Sequence, residues 1–160
     1  MVVRLLPGKS EFTLVMTIRP ESEPDAAGEV LIELDTGHRV SFELKGRYFR
    51  VLRVLIELAW QDRNRDLEVK GLRSRSVIAR HYATQANDTA TPADDVITRY
   101  VLEIRKAVKR SIAELVVEAN ISPPPLVPDV IATSRGLGYS MGDLKVILID
   151  HTATRKLTRG

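Results

Sequence analysis

Apolar residues change their spacing twice along this chain, dividing it into a strand-rich start, a helical middle and a hairpin near the end. Phe12 to Ile18 and Val30 to Leu34 are rich in β-branched and apolar side chains. Arg39-Val40-Ser41-Phe42-Glu43-Leu44 alternates polar with apolar at the period of two of a half-buried strand. These stretches predict an N-terminal antiparallel sheet within residues 1–45. Its second and third strands are joined by a turn at Asp35-Thr36-Gly37-His38, and its first and second by an acidic, proline-bearing loop from Pro20 to Glu29.

From Arg47 the period becomes helical. Phe49, Leu52, Ile56 and Ala59 recur at three- and four-residue spacing, with Tyr48, Leu55 and Trp60 widening the stripe, which predicts a helix ending near Asp62. After a charged connection from Arg63 to Lys70, Ser74 is placed to cap a second helix reaching about Ala83, with Val77, Ile78 and Tyr82 turned inward. Thr91-Pro92-Ala93-Asp94 then supplies a capping hydroxyl, a first-turn proline and an acid near the positive end of the helix dipole, so a third helix is expected over 92–117. On a wheel of about 100° per residue, Ile97, Val101, Ile104, Val108, Ile112 and Leu115 fall in one narrow arc that must be buried. Thr98, Arg99, Leu102, Arg105, Lys106, Lys109 and Arg110 point elsewhere and form a broad, mostly basic face.

Ile121 to Pro128 holds four prolines and cannot be helix. Val130 to Thr133 and Tyr139 to Met141 are short strand-like pieces around Ser134-Arg135-Gly136-Leu137-Gly138, which predicts a hairpin over 130–141. Lys145 to Ile149 is a further strand that must pair with the hairpin or with the N-terminal sheet, and residues 151–160 form a basic, flexible tail. The expected organisation is one domain over 1–150, with a sheet at 1–45, a helical core at 46–118, and the hairpin and extra strand at 129–150.

With 160 residues, 44% of them hydrophobic, the chain can bury one core and is short for two. A net charge of +3 is unremarkable, but its distribution is not. Residues 1–44 carry 4 basic and 8 acidic side chains, residues 45–110 carry 15 and 8, and residues 111–150 carry 2 and 5. A basic middle between acidic flanks fits a polyanion that meets one face only. No stretch approaches the ~20 apolar residues of a membrane span and Met1 to Ser10 lacks the apolar centre of a signal peptide, so no membrane association and a cytoplasmic location are expected. The chain has no cysteine, which removes disulfides, thiolate catalysis and cysteine-ligated zinc. His38, His81 and His151 lack metal-ligand spacing, Asp94 and Asp95 are adjacent and cannot face each other on a helix, and Gly136-Leu137-Gly138 lacks the third glycine of a dinucleotide loop. No metal, no cofactor and no enzymatic activity are therefore predicted.

The order strands, helix, helix, basic helix, hairpin is that of a winged helix-turn-helix of the α+β class, in which one helix enters the major groove and the hairpin reaches the backbone or minor groove. A groove of about 12 Å admits a helix whose inner face is anchored by core packing and whose outer face supplies cations. Arg99, Arg105, Lys106, Lys109 and Arg110 can neutralise phosphate or read guanine, and Leu102 among them can touch thymine methyls.

Thr133-Ser134-Arg135-Gly136-Leu137-Gly138-Tyr139-Ser140 resembles the wing of OmpR/PhoB-type response-regulator effector domains, roughly T-V-R-G-x-G-Y-R, matching at Thr133, Arg135, Gly136, Gly138 and Tyr139. Ile97 to Val108 is similar to that family's helix V-x-V-H-I-R-R-L-R-x-x-L, with Arg105 at a retained arginine. The resemblance, over about residues 28–142, implies that Arg135 enters or flanks the minor groove, Thr133 touches phosphate and Arg105 faces the major groove. Leu102 and Glu103 stand where the family often places arginines, and Tyr100 where it often has histidine, so a different target sequence is implied. The proline-rich segment is longer than usual, and no receiver domain precedes the module, so phosphorelay control is not carried over. The Gln85 to Pro92 loop occupies the position from which the family can meet RNA polymerase. Double-stranded DNA is the expected partner, bound by a transcriptional regulator acting as a homodimer or on tandem sites. The alternative is a winged helix serving as a protein-protein interaction module in a regulatory or phage assembly complex.

Overall fold

A computed structural model describes residues 1–20, 23, 25–65, 70–86 and 90–152. Parts of the Pro20–Glu29 loop, the Arg63–Lys70 connection and the Gln85–Pro92 loop, and residues 153–160 of the expected tail, lie outside the described residues. The elements are β1 (Val2–Leu6), β2 (Phe12–Ile18), β3 (Gly28–Leu34), β4 (Arg39–Leu44), α1 (Gly46–Gln61), α2 (Arg75–Gln85), α3 (Asp94–Glu118), β5 (Ile131–Ser134), β6 (Gly138–Met141) and β7 (Lys145–Asp150).

The described residues have an α+β fold of three helices, a five-stranded sheet and a two-stranded hairpin. The period of two in β2 places Phe12, Leu14, Met16 and Ile18 on one fully buried face, matched across the ladder by Val30, Ile32 and Leu34 of β3. Strand order is β1-β7-β2-β3-β4. The extra strand β7 joins this sheet rather than the hairpin, antiparallel to β1 and parallel to β2, so the N-terminal sheet is mixed instead of purely antiparallel. Its inward residues Val146 and Leu148 continue the buried face.

α1 meets the sheet at β1 and α3 meets it at β4, while α2 packs against α1 and α3. α1 is the central one, with Val51, Leu52, Val54, Leu55, Ile56 and Leu58 at 1% exposure or less. α3 buries the predicted arc, Ile97, Val101, Ile104, Val108, Ile112 and Leu115, and adds Tyr100 and Ser111. Its first residue is Asp94, not Pro92, and its cap is Ala93, which makes no side-chain capping bond; Asp94 and Asp95 supply the negative charge of the first turn instead. α2 is capped as expected by Ser74, whose hydroxyl accepts from Val77 N at 3.3 Å. Its buried residues are Ile78, Ala79, Tyr82 and Ala83, so Val77 sits at the rim. Among the described residues, no helix is long and apolar enough to cross a membrane.

Candidate nucleic-acid interface

The helical period of α3 separates its side chains cleanly. Opposite the buried arc, Arg99, Leu102, Lys106, Lys109 and Arg110 share one exposed face, with Leu102 47% exposed among the cations. The contacts of this face are loose. Lys106 meets Glu103 at 3.5 Å, a surface pair of a kind contributing about 0–1 kcal/mol, which an incoming phosphate can replace. The Arg99 guanidinium lies 6.0 Å from the ring of Tyr100.

Arg105 behaves differently. Its Nε and Nη2 donate to the Ile131 carbonyl at 3.1 and 2.7 Å, Nη2 also donates to the Thr133 hydroxyl, and its guanidinium lies 5.6 Å from the Tyr139 ring. Half-buried, it ties α3 to β5 and leaves the outward face to its neighbours. Thr133 is exposed, but its hydroxyl is engaged by that arginine.

The hairpin is held from two further sides. Tyr139 N donates to the Arg73 carbonyl at 3.0 Å and Arg73 N donates back at 3.1 Å, so Arg73, two residues before α2, forms an isolated bridge beside β6. The neighbouring Gly138 has φ +134° and its backbone passes so close that an added Cβ would fall 1.9 Å from the Arg73 carbonyl oxygen. Thr98 of α3 completes the joint: its Oγ1 donates to the Asp94 carbonyl at 3.2 Å and accepts from Arg75 Nη1 at 3.1 Å and from the Tyr139 hydroxyl at 3.4 Å. One donor and two acceptor sites are all a hydroxyl offers, so Thr98 is saturated while linking α2, α3 and β6.

Arg73 is itself clamped. Its guanidinium donates to both oxygens of Asp62 at 2.9 and 3.1 Å, and the Gly71 N–H donates to the same carboxylate at 2.8 Å. Asp62 is 1% exposed at the end of α1, and the Arg73 guanidinium holds its carboxyl below the usual carboxylate range, outweighing burial, which acts the other way. The chain α1–Asp62–Arg73–Tyr139 thus fixes the hairpin relative to the helical core.

At the hairpin tip, Leu137 N donates to Ser134 O at 2.9 Å, and Arg135, Gly136 and Leu137 are exposed. Arg135 is the only cation from Ser111 to Leu144 and stands at the far end of this lever. The structure thus gathers Arg99, Leu102, Lys106, Lys109 and Arg110 on one face, sets Arg105 and Thr133 against each other as the brace beside it, and leaves Arg135 apart on the hairpin. Sequence reasoning passed over Asp62, Arg73, Arg75 and Tyr139 as bracing residues and gave Thr98 no role. The motif match at Tyr139 was the one signal available.

Comparison of the chain with protein families, with curated proteins and with solved structures finds no match.

Proposed function

We propose that the chain is a winged helix-turn-helix protein of the OmpR/PhoB-like kind that binds double-stranded DNA sequence-selectively and regulates transcription in the cytoplasm. One observation carries this reading. α3 presents a single exposed face of Arg99, Lys106, Lys109 and Arg110 around Leu102, and the same helix is braced through Thr98 and Arg105 to a hairpin tipped by Arg135.

In this reading α3 lies in the major groove, whose width accepts one helix. Arg99, Lys106, Lys109 and Arg110 neutralise phosphates or donate to guanine, while Leu102 packs on thymine methyls. The hairpin follows the adjacent backbone, with Arg135 entering or flanking the minor groove and Thr133 near phosphate. Arg105 contributes by setting the angle between helix and hairpin. A homodimer on a two-fold site is the working arrangement, and a contact to RNA polymerase belongs to the Gln85–Pro92 loop.

Selection of bound duplexes from a random pool tests the proposal. A recurring motif a few base pairs long, enriched by the wild type and lost with Lys106→Ala and Arg110→Ala together, supports it. Recovery of duplexes without any shared motif contradicts it.

A further inference from the structure

The two edges of the five-stranded sheet are defended very differently. β4 packs beside α3 and carries the exposed Arg39 and Glu43, charges that discourage another strand. β1, at the other edge, reads Val-Val-Arg-Leu-Leu without proline, lysine or bulge. Among the described residues, no hydrogen bond joins its outer edge to another segment. Val3 and Leu5 are 42% and 60% exposed, and the preceding Met1 is 59% exposed. Arg4, the strand's one charge, turns inward and meets Glu57 of α1 at 3.9 Å.

Side-chain alternation puts Val3 and Leu5 on the sheet face away from the helices, where the register sets them beside Ile149 and Ile147 of β7, with Val15 of β2 and Leu31 of β3 continuing the Leu5 row. β7 itself, Val146-Ile147-Leu148-Ile149, is apolar on both faces, the pattern of a strand covered on both sides. The open edge and a half-buried apolar face therefore meet at β1, where Val3 and Leu5 are its exposed members.

We propose that β1 is the dimerisation strand: two copies of this chain join edge to edge, β1 antiparallel to β1 about a two-fold axis, forming one continuous ten-stranded sheet. A second copy is the occupant that fits. An antiparallel pair of identical strands is self-complementary, and a register centred on Val3 sets Leu5 opposite Met1 and Arg4 opposite Val2, so no arginine meets its own copy. Arg4 lies 3.9 Å from Glu57, a carboxylate that Arg53 also meets at 3.2 Å, so part of its charge is offset on the inner face of the sheet. The pairing also consumes the undefended edge of the five-stranded sheet in each copy, so growth through that sheet stops at two copies. This inference stands apart from DNA binding and is tested without DNA.

Sedimentation of the wild type and of a Val3→Lys, Leu5→Lys double variant, each over a range of concentrations, decides it. Both positions are exposed in a single copy, so far-UV circular dichroism should stay close to wild type, and the melting temperature should fall only by what association contributes. The wild type is expected to sediment as a dimer, and the variant's dissociation constant should rise by at least about tenfold, because the two-fold axis brings each added charge in twice. Hydrogen exchange supplies the second reading: β1 amides pointing away from β7 exchange slowly in the dimer and rapidly in the variant. A monomeric wild type overturns the proposal, as does a variant that dimerises equally well. A dimer whose β1 amides stay unprotected also overturns it, since the copies would then meet by their faces or through another segment.

Discussion

Replacing Asp62 by Asn removes the charge that fastens α1 to Arg73 and, through it, to the hairpin. The carboxylate is 1% exposed and accepts three hydrogen bonds, two from Arg73 and one from the Gly71 amide. Breaking a buried ion pair from one side costs about 3–5 kcal/mol. The lower end applies here, because the Arg73 side chain keeps 25% exposure and asparagine retains one acceptor oxygen. A loss of about 3 kcal/mol corresponds, for a chain of this length, to a fall in melting temperature of roughly 6–12 °C. The pH dependence identifies the cause. Folding lowers the Asp62 pKa, so its stabilisation is complete above the unfolded carboxylate value of about 3.9 and is lost as pH falls through the folded value below it. Urea denaturation of wild type and Asp62→Asn should therefore show a constant gap from weakly acidic to neutral pH that narrows only in stronger acid. A gap below about 0.5 kcal/mol at neutral pH, or one that closes near neutrality, refutes this account of the clamp.

The glycines of the hairpin should separate by site. Gly136→Ala, at φ +75° with open space around it, is expected to cost about 1–2 kcal/mol in the left-handed conformation. Gly138→Ala should cost more and disrupt the β6–Arg73 pairing as well, readable as faster exchange of the Tyr139 amide. Equal losses at the two positions would contradict the close approach. Arg105→Ala should lower stability by about 1–3 kcal/mol, because it leaves the Ile131 carbonyl and Thr133 without their donor, whereas Lys106→Ala and Arg110→Ala should leave the unfolding midpoint within about 0.5 kcal/mol of wild type and weaken duplex binding. Matching stability profiles for all three would dissolve the distinction between brace and contact face. Arg135→Ala should leave folding intact and weaken binding most where the flanks are AT-rich, whose narrow minor groove attracts arginine, as competition between flanking sequences would reveal.

Local periodicity made much of this fold legible. The buried arc of α3, the Ser74 cap and the Gly136–Gly138 hairpin all depend on residues close in sequence, and the structure has them as read. What escaped was long-range. The five residues of β1 lack the alternation of β2 or β4, and its pairing partner β7 lies more than a hundred residues away. The parallel contact of β7 with β2 likewise has no local signature. At the candidate interface the spacing of Arg99, Leu102, Lys106, Lys109 and Arg110 disclosed their common face. It could not separate Arg105, whose role depends on a carbonyl 26 residues away, or disclose Asp62, whose partner Arg73 lies across a connection with no periodic pattern.

The central claim is that the exposed face of α3 and the tip of the hairpin carry a duplex, and the salt dependence of duplex affinity tests it most directly. For one protomer on a half-site duplex, five exposed cations, Arg99, Lys106, Lys109, Arg110 and Arg135, each neutralising one phosphate, give a slope of log affinity against log salt of about −4.5, or roughly a 500-fold loss between about 50 and 200 mM. Replacing Arg99, Lys106 and Arg110 by alanine together should bring the slope to about −1.8 while the protein remains folded. A wild-type slope near zero, or the same slope in the triple variant, would contradict the account.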